Sequence, residues 1–395
     1  MQVYLDNAST TKMSRAAIDA MLPYLDSVYG NPSSLHSMGQ RAKEALEAAR
    51  RVVAECLGAR EQEIYFTSGG SESDNQAILS ASVIGARKGK KHIVTTAFEH
   101  HAVLHTLKRL EKDGYSVTYL PVSREGLVSA EEVSAAIRED TCLVTVMTAN
   151  NEIGSVLPVG EIGSVCRERG VFFHTDAVQA IGHIAMNVAE MCIDMLSLSA
   201  HKFHGPKGVG VLYVRKGIPL TNLIEGGAQE RGRRAGTENV AGASALAAAL
   251  SEATTHLAEN GAKMTALRER LIRGLSAIPH SVLNGDRVSR LPGNVHFCFE
   301  GIEGESLLLL LDEYGIEASS GSACTSGSLD PSHVLLAIGH PHEIAHGSLR
   351  LTLSEYTTEE EIDYALEVIP AVVERLRGMS PIWRDKVNGL KPFLL

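Results

Sequence analysis

Features that would indicate a small disulfide-rich protein or a zinc-binding module are missing from this sequence. The chain of 395 residues has six cysteines, and no two of them show the close spacing of a zinc ribbon or a disulfide framework. The cysteines are Cys56, Cys142, Cys166, Cys192, Cys298 and Cys324. We therefore expect free thiols in a reducing cytoplasm.

Signals for membranes and nucleic acids are also absent. No apolar run approaches the ~20 residues that span a bilayer. The start of the chain, Met-Gln-Val-Tyr-Leu-Asp, has neither the basic beginning nor the apolar core of a signal peptide. The formal net charge is −10, and no basic stripe offsets it. We expect a cytoplasmic protein that binds neither membrane nor nucleic acid.

What the sequence does contain is a regular alternation of apolar runs with helical patterns. Seven runs have the length and composition of buried strands. They are Ile64–Thr67, His92–Thr96, Val117–Leu120, Leu143–Met147, Val171–His174, Met195–Leu198 and Val211–Val214. The alternation predicts an α/β fold whose large domain, residues 15–255, has a mainly parallel seven-stranded sheet flanked by helices. We expect residues 1–14 and 256–395 to form a smaller α+β domain.

A lysine follows one of these strands. The segment Ser199-Ala-His201-Lys202 lies between Met195–Leu198 and a loop rich in glycine and proline. Ligands of open α/β sheets bind at the ends of strands. A lysine there can form a Schiff base if desolvation or neighbouring cations lower the pKa of its ammonium group. Taken alone, Lys202 is more simply interpreted as a solvated surface lysine, so the rest of the chain has to decide.

A second segment combines a strand, two glycines and the start of a helix. In Tyr65-Phe-Thr-Ser-Gly69-Gly70-Ser71-Glu72, the free N–H groups of the helix start and the Ser71 hydroxyl would form a phosphate cradle. The segment lacks the dinucleotide fingerprint G-x-G-x-x-G and the lysine of a P-loop, so it fits nucleotides poorly. An ordinary strand-to-helix turn explains the local pattern equally well.

Another segment carries an acidic residue at the end of a strand. Asp176 ends the strand Phe172-Phe-His-Thr, with Gln179 three residues later, and an acid there can keep a pyridine cofactor protonated. Its alternative role is to cap a following helix.

Cys324 lies in the polar loop Ser319-Ser-Gly-Ser-Ala-Cys324-Thr-Ser-Gly, unlike Cys142 and Cys298 in apolar runs. Such a position suits a nucleophile better than a structural cysteine.

One motif indicates a different class of protein. His342-Glu-Ile-Ala-His346 matches the zinc-protease pattern H-E-x-x-H. However, Pro341 precedes the segment, Gly347 ends it, and no third ligand is defined. We therefore interpret it as a chance match on a short helix, and a zinc assay would separate the two classes.

Together, these segments resemble the cysteine desulfurases of the NifS/IscS type, which are pyridoxal-phosphate enzymes of fold-type I related to class-V aminotransferases. The resemblance extends over nearly the whole chain, and the Arg-Gly-Arg-Arg segment after Glu230 favours the NifS branch. The motifs that carry it, besides those above, are Tyr4–Asn7, Gly30–His36, Glu99–His100, Asn150–Gly154, Arg234–Thr237 and Thr357–Asp363. Ser9 departs from the family pattern, which usually has alanine at this position.

The resemblance implies how pyridoxal 5′-phosphate would be held. Lys202 would carry the cofactor covalently, and a set of small or polar residues would bind its phosphate. These are Gly70, Ser71, Ser199 and His201, with Thr237 reaching in from the second subunit of a homodimer. The ring would be contacted by Asp176 at its nitrogen, by Gln179 and Asn151 at the 3′ oxygen, and by His100, which would stack on it and move protons.

The resemblance also implies the reaction. Arg350 would bind the carboxylate of L-cysteine, a task that suits a guanidinium. Cys324 would attack the substrate sulfur as thiolate, giving L-alanine and a persulfide that an iron–sulfur scaffold protein accepts, for nitrogenase or for general cluster assembly. No intrinsic metal site is expected, although Cys324 would transiently ligate a nascent cluster with the scaffold. The alternatives are a selenocysteine lyase, another pyridoxal-phosphate lyase that needs no cysteine, and a non-enzymatic scaffold.

Overall fold

The computed structural model describes residues 1–320 and 331–395 of the chain. Its strands are β1 (Val3–Tyr4), β2 (Ile64–Thr67), β3 (His92–Thr96), β4 (Ser116–Leu120), β5 (Thr141–Thr145), β6 (Phe172–Asp176), β7 (Met195–Ser199), β8 (Gly210–Val214), β9 (Ser281–Leu283), β10 (Asn294–Phe299), β11 (Ile316–Glu317) and β12 (Ser348–Thr352). All seven strands expected from the sequence are present, with ends shifted by at most two residues.

Helices occupy most of the intervening segments. They are α1 (Arg15–Met21), α2 (Ser37–Leu57), α3 (Gly70–Ala86), α4 (His101–Lys112), α5 (Ala130–Ala136), α6 (Val159–Arg169), α7 (Gln229–Gly232), α8 (Val240–Thr255), α9 (Leu257–Leu275), α10 (Gly304–Glu313), α11 (His333–Ala337), α12 (His342–His346), α13 (Glu359–Met379) and α14 (Pro381–Val387). Within residues 1–320 and 331–395, no helix combines the length and the apolar character needed to cross a bilayer.

The large sheet confirms the predicted α/β class. Its strand order is β2-β8-β7-β6-β5-β3-β4, and β8 is antiparallel to both of its neighbours while the other pairs are parallel. Side chains alternate between the two faces, so Ile93 and Leu143 pack with α3 and α4, whereas Val94 and Val144 pack into the core on the other side. The parallel strands therefore direct their carboxyl ends to one edge.

The second apolar core lies outside this sheet. It is built around the antiparallel sheet β12-β10-β9 and the helices α9, α10 and α13. The first residues of the chain join it, because β1 pairs in parallel with β11 and buries Val3 and Leu5 there. The division into domains at residues 15 and 255 stays a prediction.

Candidate active site

A cavity of about 810 Å³ opens at the carboxyl edge of the large sheet. Its lining combines the ends of β6 and β7, the start of α3, the first residues of the chain and Arg350 from β12. Ten residues predicted from the sequence line it: Gly70, Ser71, His100, Asn151, Asp176, Gln179, Ser199, His201, Lys202 and Arg350. A volume of this size is typical of small-molecule and cofactor sites.

Lys202 lies in a short 3₁₀ turn, Ala200–Lys202, directly after β7. Its side chain is half-buried, and Nζ donates hydrogen bonds to the backbone oxygens of Ala8 at 2.6 Å and Ser9 at 2.8 Å. The N-terminal segment thus passes over the lysine and orients it in the cavity. Lys202 is therefore not the solvated surface lysine that it suggests when taken alone.

The start of α3 forms the part of the cavity suited to an anion. The N-cap residue, Gly69, has a φ of 151° and offers no side chain to cap the first N–H groups of the helix. A Cβ atom on Gly70 would lie 2.5 Å from Cγ2 of Val178, so only glycine allows this close approach. Unpaired N–H groups and the helix dipole favour a phosphate here. We call the N-terminus of α3, with Ser199 and His201, the phosphate end.

His201 contributes a neutral side chain to the phosphate end. Its Nδ1 lies 3.1 Å from Oγ1 of Thr10. Burial, together with the charges of Lys202 and Lys207, lowers the pKa of His201 to about 4. At neutral pH the ring can therefore serve an anion as a hydrogen-bond donor rather than as a cation.

Asp176 ends β6 and is buried, with one carboxylate oxygen accepting a hydrogen bond from the N–H of Val178 at 2.9 Å. The segment after it forms turns, and no α-helix begins between β6 and β7. Asp176 therefore does not cap an α-helix, which was its alternative role. Gln179 follows in the same turn and donates from Nε2 to the oxygen of Ala8 at 3.0 Å. Burial raises the pKa of Asp176, whereas His100 and Lys202 act in the opposite direction.

His100 is the N-cap residue of α4, and its Nδ1 accepts a hydrogen bond from the N–H of Ala102 at 3.1 Å. This bond assigns the ring proton to Nε2 in the neutral form. Glu99 holds the turn from behind, because its buried carboxylate accepts from Oγ1 of Thr96 and from the N–H of Met147. Burial raises the pKa of Glu99 to about 8.

Arg350 lies on β12, lines the cavity and is 3% exposed. Its guanidinium donates to Oδ1 of Asp6 at 3.0 Å, to Oγ of Ser9 at 2.7 Å and to the oxygen of Asn151 at 3.2 Å. Nε has no hydrogen-bond partner among the described residues. A buried cation with an unused donor is suited to a carboxylate ligand.

Several lining residues were missed by sequence reasoning. Ser9 was recognised only as a departure from the family, yet its hydroxyl contacts both Arg350 and Asp6. Asp74 and Glu152 are also buried in the lining. A signal for Asp74 existed, because it lies four residues after Gly70 and therefore on the same face of α3.

Within residues 1–320 and 331–395, one predicted residue, Thr237, does not line the cavity. Cys324 lies outside the described residues. Thr237 is exposed and belongs to a segment that two ion pairs attach to α2 and α3. In these pairs, Arg234 Nε lies 2.9 Å from Glu72, and Arg50 makes two bonds, at 2.8 and 2.9 Å, with the buried carboxylate of Glu230. Thr237 is thereby held on the surface, outside the cavity.

The H-E-x-x-H segment forms α12, a helix of five residues. Its two histidines, His342 and His346, are exposed, and Glu343 pairs with Nζ of Lys386 at 2.8 Å. Within residues 1–320 and 331–395, the one group of three residues placed closely enough to share a metal ion is Asp74, His100 and Asp176. The structure thus gives no support to a metalloprotease site at α12.

Comparison with known proteins agrees with this geometry. The profile of the family described as Aminotransferase class-V matches residues 3–365. The protein named cysteine desulfurase IscS in Clostridium botulinum is 55% identical over 391 residues, or 98% of each chain. The protein of the same name in Methanosarcina thermophila is 54% identical over 380 residues, covering 96% of this chain and 94% of that protein.

Solved structures give the same result. A NifS-like protein superposes with a TM-score of 0.90 at 40% identity, covering 95% of this chain and 100% of its own. SspA in complex with cysteine superposes with a TM-score of 0.78 at 36% identity, covering 90% and 100%. Because both IscS and NifS-like names occur, the preference for the NifS branch stays a prediction. The chain belongs to the aminotransferase class-V family, within its cysteine desulfurase branch.

Proposed function

We propose that this chain removes sulfur from L-cysteine with the help of pyridoxal 5′-phosphate, leaving L-alanine and a persulfide on Cys324. The observation that carries the proposal is the convergence of a lysine, a buried aspartate, an open helix start and a buried arginine on one cavity. The relatives named cysteine desulfurase support the same activity.

The residues present fit the cofactor at both of its charged ends. The open start of α3 faces a phosphate, and the close approach at Gly70 leaves no room for a side chain there. The carboxylate of Asp176 lines the cavity and is oriented by its bond from the N–H of Val178, which suits a protonated ring nitrogen. Lys202 lies between these two ends and supplies the amine for covalent attachment.

When bound, the cofactor supplies an electron sink that makes the α-proton of an amino acid acidic. The amine of Lys202 is placed to remove that proton, because the oxygens of Ala8 and Ser9 hold Nζ in the cavity. His100 lines the cavity with its ring proton assigned to Nε2, and we assign it the transfer of protons to and from the substrate. Asp176 provides the negative charge that keeps the ring protonated.

We assign Arg350 to the carboxylate of the substrate. The unused Nε donor and the bonds to Asp6 and Ser9 leave the guanidinium ready to exchange one partner for a ligand. Because Ser9 contacts Arg350 through its hydroxyl and Lys202 through its backbone oxygen, an amino acid held by its carboxylate at Arg350 would place its amine near the lysine. This arrangement selects α-amino acids over simple amines or thiols.

Cys324 supplies the chemistry that separates sulfur removal from other reactions of the family. Its thiolate would attack the sulfur of the substrate, so a sulfur–sulfur bond forms while the carbon–sulfur bond breaks, and the carbon takes up a proton to give alanine. A free thiol with a pKa of ~8.5 is mostly protonated at neutral pH, so a neighbouring base or cation would assist. An iron–sulfur scaffold protein in the cytoplasm is the acceptor that we propose.

A homodimer would complete the site. Thr237 is exposed, and the ion pairs of its segment hold it outside the cavity of its own subunit. A twofold axis that places this segment against the phosphate end of the partner would supply the missing hydroxyl. Light scattering should show a dimer. Thr237→Ala should weaken cofactor binding without dissociating the dimer. An active monomer would contradict this assignment.

Replacing Cys324 by alanine tests the function most directly. The variant should fold, bind the cofactor with its visible absorbance intact and bind L-cysteine, because none of the cavity residues depends on Cys324. Release of alanine and sulfide should fall by about 10⁴-fold or more. Cys192→Ala, at a half-buried cysteine outside the cavity, is the matched control. Desulfuration at the wild-type rate in Cys324→Ala would instead indicate a lyase that needs no cysteine.

A further inference from the structure

Asp74 is a buried carboxylate that lacks a hydrogen bond of ordinary geometry, and the nearby Ser197 hydroxyl stabilises its charged form only in part. It lies on the second turn of α3, is 1% exposed, and neither of its oxygens has a hydrogen-bond partner among the described residues. Its polar neighbours on the sheet include His174, whose Nε2 lies 3.6 Å from Oδ1, which is too far for a hydrogen bond. Because an unpaired buried carboxylate is costly, its presence in the cavity lining requires an explanation.

The explanation lies in a second carboxylate. Asp74 and Asp176 each offer an oxygen, and His100 a ring nitrogen, such that these atoms lie within 4.8 Å of one another. Two carboxylates this close in a buried site cannot both be ionised without a large electrostatic penalty. One of the pair must therefore carry a proton.

The surrounding charges decide which one. The carboxylate of Asp176 is stabilised by His100 and Lys202, whereas the charges acting on Asp74 are those of Asp176 and Glu99. His174 cannot neutralise a negative charge on Asp74, because burial lowers the pKa of this histidine to about 3. Its two ring nitrogens are hydrogen-bonded to Thr145 and Ser197. Burial raises the pKa of Asp74 well above its ordinary value. The proton therefore resides on Asp74.

We propose that Asp74 is a protonated positioning residue that donates its proton in a hydrogen bond to Asp176 and thereby keeps the negative charge on Asp176. In the protein without cofactor, this bond would hold the two carboxyl groups together although both are acids. With the cofactor bound, which rests on the proposed function, it would fix the carboxylate that faces the ring nitrogen. Asp74 itself would contact neither the substrate nor the reacting atoms.

The first test uses the protein without cofactor and compares wild type with Asp74→Asn. Asparagine keeps the shape and a donor but has no proton to lose. A folded-state pKa above the unfolded value of ~3.9 means that the stabilisation is fully present below pH ~3.9 and is lost as the pH rises through the folded-state value. The melting temperature of Asp74→Asn minus that of wild type should therefore rise by about 2 °C or more from acidic to alkaline pH. A constant difference across that range would overturn the proposal.

The second test measures the protons exchanged when pyridoxal phosphate binds, by calorimetry in buffers of different ionisation enthalpy. Because Asp74 stays protonated before and after binding, wild type and Asp74→Asn should exchange the same number of protons and bind with similar affinity. Asp74→Ala removes the donor and should bind the cofactor about tenfold more weakly. A difference of one proton between wild type and Asp74→Asn would show that Asp74 titrates, contrary to the proposal.

Three controls make the outcomes distinguishable. If wild type binds no pyridoxal phosphate, the proposed function fails, yet the melting curves still test the carboxylate pair. If Asp74→Asn does not fold, Asp74→Ser supplies a smaller neutral donor. Equilibrium dialysis of the cofactor-free protein against Zn²⁺ tests the remaining explanation, since stoichiometric zinc lost in Asp74→Asn would mean that the group binds a metal instead of sharing a proton.

Discussion

The phosphate end of the cavity and the end around Asp176 stabilise the charge of a ligand in different ways. At the phosphate end, backbone N–H groups of α3 and the neutral ring of His201 face the cavity, so the site needs no charged side chain there. Around Asp176, buried carboxylates lie close together and their pKa values are raised. Fixed backbone dipoles bind an anion at any pH, whereas clustered carboxylates depend on where their protons lie.

The strongest way to break this arrangement is to remove the residue between the two ends. In Lys202→Ala, the covalent attachment and the base that removes the α-proton are lost together, so turnover should fall by about 10⁴-fold or more. The cofactor absorbance of the purified protein should be lost or strongly altered. Lys207→Ala, an exposed lysine five residues away, should keep both properties. Normal activity in Lys202→Ala would refute the assignment of the whole site.

Changing Asp176 affects one end and spares the other. Asp176→Ala should retain part of the cofactor through its phosphate, while turnover falls by about 10³-fold because the preorganised charge at the ring is gone. Steady-state kinetics and a phosphate-competition assay on the same preparation separate the two effects. A variant with the wild-type kcat would mean that the bond from Val178 is the whole role of Asp176.

Gly70→Ala acts on the phosphate end alone. The new Cβ would lie 2.5 Å from Cγ2 of Val178, so the first turn of α3 must shift away from the anion. We expect cofactor binding to weaken about tenfold. Gly70→Ala combined with Val178→Ala makes room for the new atom and should restore most of the affinity. If the double variant binds as weakly as the single one, crowding is not the cause.

The smallest expected effect concerns Ser9. Its hydroxyl accepts a hydrogen bond from Arg350 at 2.7 Å, and that bond competes with a substrate carboxylate. In Ser9→Ala the competitor is gone, so KM for L-cysteine should fall by about two- to fivefold with kcat unchanged. Kinetics at saturating cofactor measure this directly. A rise in KM would show instead that Ser9 orients the guanidinium.

Sequence reasoning placed the cavity residues correctly where a strand end or a helix start defined the position. Asp176 and Ser199 end strands β6 and β7, whereas Gly70 and Lys202 follow β2 and β7. Parallel strands end at a common edge, so these four residues meet there. It placed helix ends less well. The sequence pattern after Ser14 predicts a helix to about Ser27, but α1 ends at Met21. A 3₁₀ turn containing Pro23 follows, because proline has no N–H for a regular helical bond.

The sequence by itself determined the alternation of strands and helices, because burial on both faces of a parallel sheet requires apolar runs of strand length. It could not show that Asp6 and Ser9 meet Arg350, since residues more than 340 positions apart are joined only when the first residues pair with the second core. The spacing of four residues places Asp74 on the same face of α3 as Gly70, but the sequence could not show that Asp74 is buried. Whether that carboxylate faces water or Asp176 depends on how α3 packs on the sheet, and that packing alone makes its proton part of the site.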